Sequence, residues 1–280
     1  MSNSIVIATD LSARSDRPTD RAVQLARQLG ATLTIVHALD DKSSLSRQKQ
    51  TERARRELGR ITAQLDIPFD TVLEFGSAPE MVADVAQQRG SALIVVGAAR
   101  YNHVSDYFLG TAVDYLVRDA RVPVLVVKER PLAAYDGLIA GTDFSARSKD
   151  ALFMAMRLFA GLPATLVHAF GSPFAERIGR EASLEYGTRR AESAMDEFLA
   201  QPDLAPLRGR LDARCIESGP AHAIATVSER YRHPLAVLGS HGWGPLAQAV
   251  LGSRASELLT DIPHDILIVR GGIGDNQPSA

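Results

Sequence analysis

Along this 280-residue chain the spacing of apolar positions keeps changing period. Short runs rich in branched side chains alternate with stretches where apolar residues recur three and four positions apart. In the first half the short runs predict strands near 4–9, 32–37, 70–75, 92–97 and 123–128. Between them, Ala22, Leu25, Ala26 and Leu29 mark one buried helix face, and Met81, Val82, Val85 and Ala86 mark another. The stretch from Leu45 to Leu65 is long and charged, which predicts a more exposed helix. In the second half the runs predict strands near 137–142, 164–169, 210–217, 235–239 and 265–269. The segment "ALFMAMRLFAG" predicts an apolar helix with Gly161 as its C-cap. Runs such as Ile94–Val96 and Ile266–Val269 are apolar at every position, as strands covered on both faces require. The alternation therefore predicts α/β architecture with parallel sheets.

The pattern also repeats itself. "IVIATDLSARS" (Ile5–Ser15) returns as "LIAGTDFSARS" (Leu138–Ser148), and "ATLTIVHA" returns as "PATLVHAF". "ALIVVGAAR" parallels "LAVLGSHGW", and "RVPVLVV" parallels "HDILIVR", in the same order. Two copies of one domain follow, expected at 1–130 and 136–272, with a linker around "KERPLAAYDG" and a disordered tail at 273–280.

Composition narrows the function classes. The net charge of −2 argues against a dedicated nucleic-acid binder. One cysteine, Cys215, allows no disulfide within the chain and fits a reducing compartment; its place in a strand predicts a buried, inert thiol. No stretch approaches the roughly 18 apolar residues of a membrane helix, and "MSNSIVIATD" lacks the basic start of a signal peptide. A soluble, cytoplasmic protein is expected, with no membrane and no nucleic-acid partner.

The chemistry gathers at predicted strand ends. "GSHGWGPLAQAVLGS" begins with Gly239 directly after the strand "PLAVL", turns at Gly242, and reaches Gly252-Ser253 just before the helical pattern "RASELLTD". Glycines let backbone N–H groups approach phosphate oxygens, and a helix start favours an anion. Ser253 serves equally as a plain helix cap. In "GTDFS", Asp143 ends the first strand of its half; it either accepts ribose hydroxyls or holds a metal, or else it or Ser145 caps the next helix.

These blocks resemble the universal stress protein family, in two copies covering nearly the whole chain. Its nucleotide-binding members carry Gly-x2-Gly-x9-Gly-(Ser/Thr), and Gly239, Gly242, Gly252 and Ser253 match every position. The resemblance implies two tandem Rossmann-like domains, each a five-stranded parallel sheet flanked by helices. It implies a stress-response protein with ATP, and Mg²⁺, in the second domain. Residue by residue, it puts the phosphates at Gly239, His241, Gly242, Gly252 and Ser253, places Asp143 near ribose or metal, turns backbone near Ala169 toward adenine, and counts Thr142, Ser240 and Arg254 among the ATP-binding residues. It also implies pairing of domains and a homodimer through the last strands, Val124–Val127 and Ile266–Val269; the protein partner is not named by it. The first half departs from the pattern. Gly97, Gly110 and Thr111 match, but Arg100 stands where Gly242 stands. Its guanidinium either fills the phosphate position, closing the site against Asp10, or pairs a phosphate from the side. Weak or absent ATP binding is expected there, and a different ligand in the first domain stays open.

Other candidates read more plainly. His37 and His168 sit at equivalent strand ends, where packing or a structural hydrogen bond is expected. His103, His222, His233 and His264 lack metal-ligand spacing. Trp243, the only tryptophan, covers a ligand, packs the loop or meets a partner. Glu176/Arg180 and Glu185/Arg189 are i, i+4 pairs on a solvated face. There is no Gly-x4-Gly-Lys-(Ser/Thr) and no Ser/His/Asp arrangement, so the expectation leans away from an enzyme. Slow ATP hydrolysis and a ligand-free interaction scaffold are the alternatives.

Overall fold

The first five apolar runs form strands β1 (Ser4–Ala8), β2 (Thr32–Leu39), β3 (Phe69–Phe75), β4 (Leu93–Gly97) and β5 (Val124–Val127). All pair parallel, in the order β3-β2-β1-β4-β5. The computed structural model describes residues 4–98, 111–172, 179–240 and 258–270. The second set forms β6 (Gly137–Gly141), β7 (Ala164–Phe170), β8 (Leu211–Glu217), β9 (Pro234–Ser240) and β10 (Ile266–Arg270), parallel in the order β10-β9-β6-β7-β8. The chain divides into two compact units, Met1–Ala134 and Tyr135–Ala280.

Each sheet is a doubly wound α/β sheet. In the first unit the chain runs from β1 outward to β2 and β3, then returns to add β4 and β5 on the other side. The reversal falls between β1 and β4, and between β6 and β9 in the second unit. A reversal of this kind opens a crevice beyond the carboxyl ends of the two strands, because the following helices leave to opposite faces.

The helices form for the reasons their spacing gives. In α1 (Asp16–Leu29), Ala22, Val23, Leu25 and Ala26 are buried, and Gly30 ends the helix in the left-handed region at φ 59°. In α3 (Ala78–Gln88), Val82 and Ala86 are buried. The charged stretch becomes α2 (Arg47–Thr62), which buries only Ala54 and Leu58. The first unit also holds α4 (Thr111–Asp119). The second holds α5 (Ala146–Leu158), α6 (Arg180–Leu199) and α7 (Pro220–Ser228). Gly161 is not the C-cap of α5: the helix ends at Leu158, Phe159 is the capping residue, and Gly161 takes φ +97° in the turn that follows. The side chain of Cys215 is half-buried rather than buried, since β8 lies at the end of the strand order. Burial, then Glu192 and Asp196, pushes its thiol up, which keeps it protonated and unreactive. Glu185 and Arg189 pair at 2.5 Å on an exposed helix face; Glu176 lies outside the described residues, as does the 273–280 tail.

Opposite the crevice, the second unit is tied by a buried pair. Tyr135 stands just before β6 and Asp265 just before β10; the Tyr135 hydroxyl donates to Asp265 Oδ2 at 2.6 Å, and Asp265 is fully buried. The Tyr135 ring meets Phe159 edge-on at 5.7 Å. Tyr135→Phe keeps the ring and leaves a buried carboxyl oxygen without this hydrogen bond, so a loss of about 1–3 kcal/mol is expected in urea unfolding.

Candidate functional site

The residue after each first strand is held on both sides of its backbone. The Thr9 N–H donates to the Val36 carbonyl at 3.0 Å, and His37 Nδ1 donates to the Thr9 carbonyl at 2.8 Å. In the second domain Thr142 N–H donates to Val167 O at 2.8 Å and His168 Nδ1 to Thr142 O at 2.9 Å. A carbonyl only accepts, so each ring carries its proton on Nδ1. The expectation of a structural hydrogen bond for His37 and His168 is met.

Past this clamp the chain turns sharply. Leu11 and Phe144 occupy the left-handed region at φ 58° and 64°. For residues with a Cβ this conformation costs about 1–2 kcal/mol. Local bonds hold it: the Leu11 and Phe144 N–H groups donate to Thr9 Oγ1 (3.1 Å) and Thr142 Oγ1 (2.9 Å). Ser12 N–H donates to Asp10 Oδ1 at 2.9 Å, and Ser145 N–H to Asp143 Oδ1 at 3.1 Å. Both aspartates stand exposed at the rim of the crevice. The Phe144 ring packs on His168 at 4.2 Å, so the turn and the clamp brace each other.

The glycines stand across the reversal point. Gly97 and Gly239 lie inside β4 and β9, within the ranges that the sequence predicted: Gly97 pairs with Val127 and Gly239 with Val269. A Cβ on Gly239 would lie 2.8 Å from the Arg147 carbonyl oxygen, so the start of α5 packs directly on this strand end. That contact is a purely structural reason for the glycine, and it was invisible in the sequence. A Cβ on Gly97 would meet Pro18 Cγ at 3.2 Å.

Identical sequences give two different polar networks here. Thr-Asp-x-Ser-Ala-Arg-Ser occurs in both domains, followed three residues on by Pro18 in the first and Ala151 in the second. Proline has no N–H to give to Arg14 O, and residues 13–15 adopt a 3-10 turn before α1 begins at Asp16. Ser15 then donates its hydroxyl to Asp10 Oδ1 at 2.6 Å and accepts from Asp10 N–H at 3.0 Å, while Ser12 Oγ reaches the same oxygen at 2.7 Å. In the second domain α5 starts at once from Ser145, which caps Ser148 N–H at 3.3 Å, so the expected capping role falls to Ser145. Ser148 Oγ turns instead to Thr142 Oγ1 at 3.0 Å and to the Ser145 carbonyl at 2.9 Å. Desolvation pushes the Asp10 carboxyl up, but the hydroxyls of Ser15 and Ser12 and the Ser12 N–H outweigh it and hold it below its ordinary 3.8.

A family model described as the universal stress protein family matches residues 1–128 and again residues 134–270. The chain belongs to the universal stress protein family. A Staphylococcus aureus (strain USA300) protein named for this family is 29% identical over 145 residues, spanning 46% of this chain and 86% of that protein. The crystal structure of a universal stress protein from Archaeoglobus fulgidus shares the fold with TM-score 0.68 at 16% identity, covering 97% of this chain and all of that one. A structure from Pseudomonas aeruginosa UCBPP-PA14, also named for the family, has TM-score 0.62 at 20% identity, covering 96% and 93%. The two domains are thus tandem universal stress protein domains of Rossmann-like α/β fold.

Within that frame, Thr142, Asp143, Ala169 and Gly239 lie at the carboxyl ends of the adjacent strands β6, β7 and β9. Ser240 is the last residue of β9 and Thr111 the first of α4. Arg100, His103, Gly110, His241, Gly242, Trp243, Gly252, Ser253 and Arg254 lie outside the described residues, and the Arg100–Asp10 pair with them. No three His, Cys, Asp or Glu side chains gather as a metal site among the described residues. The sequence reading missed the left-handed Leu11 and Phe144, the serine hydroxyls and Pro18; the last was legible as a proline one turn into a helix.

Two outcomes follow. Ser15→Ala should raise the Asp10 carboxyl toward its ordinary value in a ¹³C NMR titration. A depressed carboxyl adds stability above its unfolded value, lost as pH falls through the folded one, so the variant should lose that acid-side margin. Gly239→Ala should cost about 1–3 kcal/mol by overpacking against backbone, and Gly97→Ala less, in the midpoints of urea unfolding.

Proposed function

We propose that the second domain binds ATP with Mg²⁺, and that the bound nucleotide sets the protein's conformation or choice of partner in a stress response. The observation that carries this reading is the register of the glycine series. Gly239, its first member, sits at the carboxyl end of β9, directly across the reversal point from Thr142 and Asp143 at the end of β6. From there Gly242, Gly252 and Ser253 follow at the spacing of the nucleotide-binding motif that the family resemblance supplies, and a glycine loop leading into a helix offers backbone N–H groups to phosphates. In this reading Ser240, His241 and Arg254 add contacts to the phosphates, Ala169 backbone faces adenine, and Asp143 stands near ribose or metal. A single exposed carboxylate suits Mg²⁺, which keeps several waters and takes its other ligands from phosphates.

The first domain keeps Asp10, Gly97, Gly110 and Thr111, and carries Arg100 inside the series. It serves as a pairing platform with little or no ATP affinity. Pairing of the domains and a homodimer through β5 and β10 belong to the same proposal, as does a cytoplasmic location. No helix among the described residues is long and apolar enough to cross a membrane.

Calorimetric titration of the purified chain with ATP and Mg²⁺ should give one equivalent per chain. Gly242→Arg, which copies Arg100 into the second domain, should abolish it. Absence of binding, together with no nucleotide in the supernatant of denatured protein, overturns the proposal. Arg100→Gly should add binding in the first domain if the arginine alone blocks it.

A further inference from the structure

On the first domain, α2 and β3 leave a groove of about 410 Å³. Arg55, Leu58 and Gly59 line one wall; Phe69, Thr71 and Leu73 line the other. Phe69 is 38% exposed, among the few large apolar side chains left so open. Nothing lies within 4 Å of where a Cβ on Gly59 would stand.

Among the described residues, the corresponding helix of the second domain packs more closely. There α6 buries Ser183, Gly187, Ala191, Met195 and Phe198, against two residues for α2. Its glycine packs tightly, since a Cβ on Gly187 would meet the Gly171 carbonyl and the Phe170 ring at 3.2 Å. Leu204, from the 3-10 segment that follows α6, is fully buried.

Two further features say what fits the groove. β3 ends the strand order of its sheet, so one of its edges has no strand partner among the described residues. Leu33 N–H donates to the Pro68 carbonyl, so the even-numbered backbone groups face β2 and, by alternation, those of Phe69, Thr71 and Leu73 face the open edge. The residues whose side chains form the groove wall are therefore those with amides to offer. The second feature is charge. α2 carries six basic side chains against two acidic ones, in a chain of net charge −2. Arg47 pairs with Asp41 and Arg60 with Glu57, whereas Arg53, Arg55 and Arg56 have no acidic partner among the described residues.

We propose that this groove takes an extended acidic peptide segment from a partner protein, added as a strand beside β3, with alternate apolar side chains between Leu58 and Phe69 and its carboxylates toward Arg55 and Arg56. Backbone pairing supplies affinity, the apolar pockets set the register, and the arginines select acidic sequences. A nucleic acid would use the charge but neither the open amides nor the apolar wall.

The test uses the full chain and a fluorescein-labelled decapeptide of alternating leucine and glutamate, read by anisotropy. Saturable binding is expected, weakening severalfold between 50 and 300 mM salt. Arg55→Glu should weaken it at least tenfold. Gly59→Leu should do the same by filling the groove, and it favours the helix, so the variant stays folded. A peptide with lysine for glutamate should not bind. No binding, or binding unchanged in both variants, overturns the proposal. So does displacement by a single-stranded oligonucleotide that itself binds Gly59→Leu as well as the parent protein, which would assign the basic helix to nucleic acid.

Discussion

Everything at the rim of each sheet hangs on one threonine peptide. Thr9 and Thr142 extend their first strands by one residue, and both backbone groups are taken: the N–H by the neighbouring strand, the carbonyl by a histidine ring from that same strand. A strand end is ordinarily where pairing frays. Here it is nailed, and the next residues can therefore be driven into a left-handed turn that would otherwise relax. The aspartate, the turn and the start of the following helix all inherit their positions from that tie. The site is a property of strand ends because the strand ends are fixed.

With the frame held constant, the two domains show how little sequence change alters the polar chemistry built on it. Seven residues differ only at Leu11 and Phe144, yet their hydroxyls face different partners. The cause is a missing N–H at Pro18, which tightens the first turn and swings Ser15 toward Asp10. The sheet edges have diverged in the same way: one side of the second domain is packed by a long helix, and the corresponding side of the first is left open, basic and partly apolar. Duplication kept the scaffold and let each copy specialise where the scaffold does not depend on the side chains.

Most of the fold was legible because its signals are local and repeated. The inner strands, such as β1, β4 and β6, are short apolar runs buried along nearly their whole length, and periodicity finds such runs within a residue or two. The repeat then fixed the architecture. What stayed hidden depended on contacts distant in sequence. Gly239 read as the start of a phosphate loop, and its close packing on Arg147 needs the coordinates. Cys215 read as buried because strands usually are, whereas β8 lies at a sheet end. Gly161 read as a cap because glycine often is one, but the last turn of α5 closes earlier, at Phe159. Serine hydroxyls, whose partners follow from a backbone turn one residue away, left no trace in the pattern.

The histidine tie has a consequence for a protein of this family. The imidazole donates through Nδ1 and leaves Nε2 outside the bond. The clamp on Thr9 and Thr142 therefore uses one ring nitrogen and no carboxylate. The bonds of Asp10 and Asp143 go to the turn that follows, to Ser12 and Ser145, and not to the threonine peptide itself. The surface charge at the rim and the backbone ties beneath it are thus separate devices, and a change in the first leaves the bonds of the second unaltered.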